Sequence, residues 1–193
     1  MFRLALLAIS AVALATGAKA EMVGACAWHA APTADHELFL NQYRSGMQSG
    51  MAALRSMDGQ IRASVAKCAQ REDVPRTWAA IAVASQAIQE GAAQRLSTGW
   101  NIQRVNLDAA WENAPGDARQ CVRANAAKIF GLMNEACPNP KAPLWFLSSL
   151  GISGQNAEAA GQALIYVNAK AQSEWAEAAI AKFKTSGPSM APQ

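Results

Sequence analysis

Residues 121–137 read CVRANAAKIFGLMNEAC, a stretch that begins and ends in cysteine. Its apolar residues recur every three or four positions and no proline interrupts it, which indicates one continuous helix. Sixteen residues of helix span roughly 24 Å, whereas a disulfide requires Cα atoms within about 7 Å. We therefore expect Cys121 and Cys137 to stand at opposite ends of one helix and to bond to other parts of the chain.

The first twenty residues, MFRLALLAISAVALATGAKA, have the pattern of a secretory signal peptide. Arg3 precedes an apolar run, and the small residues Ala18 and Ala20 form a cleavage site. The run is too short to span a bilayer, and no later stretch is long and apolar enough to do so. We predict removal of residues 1–20, no transmembrane segment in the mature chain, and a periplasmic or secreted location.

Removal of this peptide also changes the charge. Once Arg3 and Lys19 are subtracted from the 17 basic residues, 15 basic residues face 14 acidic ones. This balance provides no electrostatic basis for binding nucleic acid or an anionic membrane surface. The remaining length suits one domain with its own core, which we place at 21–185, followed by a mobile tail at 186–193.

The periodicity predicts an all-α fold, because strand-like alternation is nearly absent and helix punctuation is frequent. A seven-residue apolar stripe predicts one long first helix that ends near Gln70. We expect an antiparallel bundle of four main helices with two short capping helices. The predicted main helices are 33–70, 75–99, 116–136 and 153–184, and the short ones are 106–112 and 143–150.

Four cysteines in an exported chain favour two disulfides. A four-thiolate metal site is the rival, but zinc ligands usually come in close pairs and these cysteines do not. In an up-and-down bundle Cys26 lies beside Cys121 and Cys68 beside Cys137, so we predict those two pairs. If the 99–116 connection crosses the bundle, the pairs become 26–137 and 68–121.

Histidine is scarce, which bears on catalytic and metal-dependent functions. His29 and His36 are the two histidines in the chain, and the helices lack the Glu-x-x-His pairs of di-iron bundles and the Cys-x-x-Cys-His motif of covalent haem attachment. A site built from these histidines with Met47 and Met51 is the possible metal or haem site that we considered. We expect no resident cofactor and no catalytic residue.

Exposed aromatic and arginine side chains are the remaining candidates for function. Trp100 and Trp111 lie near predicted connections, where they either cover the ends of the bundle or line a cleft. Arg55 lies along one side of the first helix. These three residues form the interaction surface that we predict from the sequence.

The sequence thus indicates an exported, disulfide-stabilised helical bundle of the bacterial envelope with a non-catalytic binding or protein-interaction role. The expected partner is another envelope protein or a small apolar ligand. The alternative is a periplasmic carrier of a small apolar ligand, haem or a metal ion, held in the bundle interior or at the His29/His36 end. An enzyme with an unrecognised site is a third possibility.

Overall fold

The computed structural model describes residues 22–129 and 136–186, and every regular element in these two ranges is an α-helix. The predicted all-α class, the helical bundle and the presence of two disulfides are confirmed. The chain is divided more finely than predicted. The described helices are α1 (Val23–His29), α2 (Thr33–Ser45), α3 (Met47–Ser56), α4 (Asp58–Ala69), α5 (Arg76–Trp100), α6 (Arg104–Asn113), α7 (Gly116–Ile129), α8 (Leu144–Ser149) and α9 (Ala157–Ser186).

The two longest helices, α5 and α9, form an antiparallel pair at the centre of the bundle. Near the start of α5, Trp78 packs edge-on against Phe183 at the far end of α9, with ring centroids 5.9 Å apart. Near the end of α5, Arg95 pairs with Glu158 in the first turn of α9 at 2.6 Å. Every other helix packs beside this pair.

The shorter helices divide into two groups, and each group builds a hydrophobic core against the central pair. Helices α1–α4 form a core with the first part of α5 and the last part of α9, although the end of α2 extends to Gly91 and Gln162. Helices α6–α8 form the other core where α5 ends and α9 begins. Burial of large apolar side chains contributes about 1.5–3 kcal/mol for each residue. The largest buried aromatic residues are Trp28, Phe39 and Tyr43 in the first core and Trp111, Phe146 and Tyr166 in the second.

The prediction of one continuous helix over 33–70 is wrong. The chain turns at Gly46, whose φ of 147° lies in the region that favours glycine, and again at Met57 between α3 and α4. After the first turn α3 packs on α2, so that a Cβ built at Gly50 would lie 3.1 Å from the rings of Phe39 and Tyr43. Each short helix thereby buries its apolar side on its neighbours instead of continuing as a rod.

The predicted disulfide pairs, Cys26 with Cys121 and Cys68 with Cys137, are wrong. The bonds join Cys26 to Cys68 and Cys121 to Cys137. The turns at Gly46 and Met57 bring α4 back against α1, which leaves the Cα atoms of Cys26 and Cys68 5.9 Å apart. The first bond therefore staples α1 to α4 within one core.

The second bond closes the stretch 121–137 on itself. Its Cα atoms are 4.3 Å apart, which excludes the predicted continuous helix to residue 136 because such a helix holds its ends roughly 24 Å apart. Helix α7 is described as far as Ile129, and residues 130–135 lie outside the described residues. The absence of proline was therefore not sufficient to predict an unbroken helix.

The other predicted helices correspond closely to described ones. The predictions for 75–99 and 106–112 match α5 and α6, and Gly116 begins α7 as expected. The predicted signal peptide at 1–20 lies outside the described residues. Of the predicted tail at 186–193, Ser186 is the last residue of α9 and 187–193 lie outside the described residues. Among the described helices, none combines the length and the apolar character needed to cross a bilayer.

Candidate ligand-binding cleft

A cleft of about 620 Å³ opens where α5 ends, between α6 and α8. Aromatic and aliphatic side chains, three amides and a hydroxyl line it, and none of its lining residues carries a charge. We call it the tryptophan cleft. Its lining residues are Trp100, Asn101, Ile102, Asn106, Ala109, Ala110, Asn113, Trp145, Ser149 and Leu150.

The end of α5 positions the first wall of the tryptophan cleft. Trp100 is the last residue of the helix, and Asn101 follows in the left-handed conformation with φ 56°. Asparagine tolerates this conformation better than most residues. The N–H of Ile102 then donates to the carbonyl oxygen of Leu96 at 3.2 Å, so the chain turns sharply and places Trp100, Asn101 and Ile102 around the same opening.

Helices α6 and α8 supply the other walls through their helical periodicity. Asn106, Ala110 and Asn113 fall on one face of α6 because residues three, four and seven apart lie above one another. Trp145 and Ser149 share a face of α8 for the same reason. The small alanine side chains on α6 leave open the space between the two walls.

A row of aromatic rings supports the floor of the tryptophan cleft. Trp145 packs edge-on against the buried Phe146 at 5.5 Å, and Phe146 stacks on Trp111 at 5.8 Å. The indole N–H of Trp111 donates to Glu174 at 2.7 Å, and Arg123 pairs with the same carboxylate at 2.8 Å. Trp111 is 1% exposed, so it lies beneath the cleft and not on the predicted interaction surface.

Trp100 also lines a second, smaller pocket of about 260 Å³, which we call the arginine pocket. Unlike the tryptophan cleft, this pocket is charged: Arg95 pairs with Glu158 at 2.6 Å, while Arg44 makes a long contact of 3.4 Å with Asn41. Its lining residues are Arg44, Gln94, Arg95, Thr98, Gly99, Trp100 and Glu158.

The third residue of the predicted interaction surface, Arg55, lies elsewhere. It lines a depression of about 350 Å³ on α3 together with Met47, Gln48 and Met51. None of these residues lines the tryptophan cleft or the arginine pocket. The structure therefore does not bring Arg55, Trp100 and Trp111 together on one surface.

The histidines lie away from the tryptophan cleft. The His36 ring stacks on Trp28 at 4.1 Å, and its Nε2 lies 2.8 Å from the Trp28 carbonyl oxygen. The other ring nitrogen lies 3.8 Å from Glu90, which accepts the Trp28 indole N–H at 2.6 Å. His29, at the end of α1, is exposed. Residues 22–129 and 136–186 contain no group of three or more His, Cys, Asp or Glu side chains that could hold a metal ion.

The acidic side chains near the second core serve separate structural contacts. Asp108 accepts hydrogen bonds from the Tyr166 hydroxyl at 2.8 Å and from Lys170 at 2.7 Å. Burial raises the pKa of Tyr166 well above its usual range, and the neighbouring Asp108 charge raises it further. Asp108 therefore links α6 to α9, and it is not among the residues that line the tryptophan cleft.

Sequence reasoning identified Trp100 but missed Trp145 and the three asparagines. The segment LWFLSSL was interpreted only as an apolar capping helix, although Ser149 follows Trp145 by four residues and therefore lies on the same helix face. No protein-family model matches this chain, and comparisons with curated proteins and with solved structures yield no significant match.

Proposed function

We propose that this protein is an exported, non-catalytic binding protein of the bacterial envelope, and that it holds a small ligand in the tryptophan cleft. The proposal rests on one observation: Trp100 and Trp145 both line one uncharged cleft together with three asparagine amides. Binding sites of this kind combine an apolar surface with a few polar groups that orient the ligand.

The dimensions and lining of the cleft define the ligand. A volume of about 620 Å³ falls within the range of about 300–1,000 Å³ that small-molecule sites occupy. The absence of charge in the lining favours an uncharged group inside the cleft, since a buried ion without a counter-charge is costly. The amides of Asn101, Asn106 and Asn113 favour a ligand that carries both donors and acceptors.

The two disulfides support the exported location. Such bonds persist in oxidising compartments and are rare in the cytosol, and both bonds here join cysteines of one chain. The proposed signal peptide at 1–20 is consistent with the same compartment.

Indole NMR signals test the proposal directly, because the chain has six tryptophans and each gives one indole N–H signal. We suggest titrating the oxidised protein with maltose, cellobiose, N,N′-diacetylchitobiose and a capped aromatic dipeptide. We expect at least one of these neutral probes to shift the Trp100 and Trp145 signals saturably while those of the buried Trp28 and Trp111 stay in place.

Alanine at either cleft tryptophan gives the matched affinity test. An indole that covers roughly 60 Å² of apolar ligand surface contributes about 1.5 kcal/mol, so Trp100→Ala and Trp145→Ala should each weaken binding about tenfold. Trp78→Phe, at the opposite end of α5, is the control and should leave affinity unchanged. Shifts confined to other tryptophans, or no saturable shift with any probe, would contradict the proposal.

A further inference from the structure

We propose that the ligand is a short oligosaccharide with an anionic substituent, whose sugar rings occupy the tryptophan cleft and whose carboxylate enters the arginine pocket. This inference rests on the proposed function and names its ligand class. It adds a second subsite, the arginine pocket, that the binding of a neutral ligand does not require.

Trp100 joins the two subsites, since it lines both the tryptophan cleft and the arginine pocket. The residues before it on the last turns of α5, including Arg95 and Thr98, belong to the arginine pocket. The residues after it, Asn101 and Ile102, belong to the tryptophan cleft. In the proposed arrangement, one ligand packs against Trp100 and extends from the tryptophan cleft into the arginine pocket.

The lining of the tryptophan cleft favours a sugar over a lipid or another purely apolar ligand. The face of an indole ring is electron-rich, so it suits the C–H face of a sugar ring. Asn101 Oδ1 already accepts from Gln103 at 3.1 Å and the Ser149 hydroxyl donates to the Phe146 carbonyl oxygen at 3.0 Å. The amides of Asn106 and Asn113 therefore provide the main match to hydroxyl and acetamido groups, which both donate and accept hydrogen bonds. A purely apolar ligand would leave these amides without partners, and each unpaired buried group lowers affinity.

The arginine pocket, unlike the uncharged tryptophan cleft, favours an anion. Arg95 is partly neutralised by Glu158 at 2.6 Å, so Arg44 leaves the pocket with one net positive charge. Arg44 is exposed, and its contact with Asn41 is long at 3.4 Å. Its guanidinium therefore retains donors in the planar arrangement that matches a carboxylate.

The test compares acidic disaccharides with neutral forms of the same shape. One pair is N-acetylglucosaminyl-N-acetylmuramic acid and its lactyl amide, and the other is digalacturonic acid and its methyl ester. Titration calorimetry at low salt should show that at least one acid binds about fivefold more tightly than its neutral form, as expected for one well-oriented exposed ion pair. The pair that shows the preference identifies whether the acid belongs to an amino sugar or to a uronic acid.

Variants assign the preference to the arginine pocket. Arg44→Gln should abolish the advantage of the acid without changing the affinity of the neutral form, and Trp100→Ala should weaken both forms. Arg55→Gln, which removes an arginine outside both subsites, is the control and should behave as the wild type. Added salt should reduce the advantage of the acid.

Three results would overturn the inference. If neutral sugars bind through Trp100 and Trp145 but the acids show no advantage, the anion subsite is wrong and the proposed function stands. If the advantage persists in Arg44→Gln, the carboxylate lies elsewhere. If neither member of any pair binds while the capped dipeptide does, the ligand is not a sugar.

Discussion

Replacing Gly91 by alanine tests the packing of the first core against α5. Gly91 lies in the middle of α5, and a Cβ built there would stand 2.7, 2.8 and 3.0 Å from three ring atoms of Tyr43. Ordinary contacts between carbon atoms lie near 3.5–4.0 Å, so the ring would have to retreat by about 1 Å. Tyr43 is 1% exposed, packs on Phe39 and donates a hydrogen bond to Gln162 at 3.2 Å.

One stabilising and two destabilising contributions determine how much Gly91→Ala changes the free energy of unfolding. Alanine is favoured over glycine inside a helix by about 1 kcal/mol. Overpacking a filled core costs about 1–3 kcal/mol, and loss of the Tyr43 hydrogen bond adds about 1 kcal/mol. We therefore expect Gly91→Ala to lower the free energy of unfolding by about 1–3 kcal/mol, which is about 2–12 °C in Tm for a chain of this size.

Gly99 provides the control on the same helix, because a Cβ built there meets nothing within 4 Å. Gly99→Ala should keep the helix-propensity gain and raise stability by up to about 1 kcal/mol. Denaturant unfolding of the oxidised proteins, followed by circular dichroism, measures both. The reasoning is refuted if Gly91→Ala is as stable as Gly99→Ala, or if adding Tyr43→Leu, which makes room for the methyl group, does not reduce the cost of Gly91→Ala.

Two further predictions concern the disulfides and the tyrosines. The Cys26–Cys68 bond spans 42 residues and the Cys121–Cys137 bond spans 16. Replacing the first pair by serine should therefore lower the free energy of unfolding by about 4 kcal/mol, and replacing the second by about 3 kcal/mol. Equal losses for the two pairs, or peptide mapping that finds other pairs, would contradict this prediction. Burial raises the pKa of Tyr43 to about 12 and that of Tyr166 further, whereas an unfolded tyrosine ionises near pH 10. The phenolate therefore forms more readily in the unfolded chain, so stability should be intact below about pH 10 and fall as the pH rises toward 12. Absorbance at 295 nm should show no phenolate in the folded protein at pH 10.5, and reversible ionisation near pH 10 without unfolding would argue against buried tyrosines.

Helical punctuation was sufficient to predict where α5 begins and ends and where α7 begins, but not where α7 ends. Pro75 and Gly99 bracket α5 almost to the residue, and Gly116 marks the start of α7. These signals are local, because a proline or a glycine acts on the backbone of its own turn whatever the tertiary structure. The class of fold follows from the same local signals.

The first half was harder because its decisive contacts are between segments distant in the chain. A seven-residue stripe that continues from Leu40 to Ile61 is compatible with one rod or with short helices folded on each other. Gly46 marks the turn, but Gly59 lies inside α4 without ending it, so glycine alone does not decide. Whether this region forms one long helix or several short ones depends on whether α3 buries its apolar side on α2. The pattern of apolar residues along the sequence does not contain that information.

The prediction of the disulfide pairs was wrong for the same reason, and the observed pairs have a consequence for stability. The predicted long helices placed the four cysteines near the two ends of the bundle. Each cysteine was therefore expected to bond to a distant segment of the chain. Each observed bond instead closes a segment within one core: Cys26–Cys68 within α1–α4, and Cys121–Cys137 beside α6–α8. No disulfide joins the two cores, which are held together by the polypeptide chain and by the packing of α5 against α9, so reduction should loosen each core separately.

The tryptophans show why the candidate site needed the structure. Trp28 and Trp111 are buried, and each donates its indole N–H to a carboxylate, Glu90 or Glu174. The other four tryptophans, Trp78, Trp100, Trp145 and Trp175, are partly exposed, and no acceptor of their indole N–H is found within residues 22–129 and 136–186; of these four, Trp100 and Trp145 line the tryptophan cleft. Sequence alone does not separate the buried pair from the cleft pair, since both pairs are tryptophans in or near short helices. A tryptophan whose ring is partly exposed and whose N–H has no protein acceptor retains a donor for a ligand, and two of them in one uncharged cleft are the physical basis for assigning a binding role to this end of the bundle.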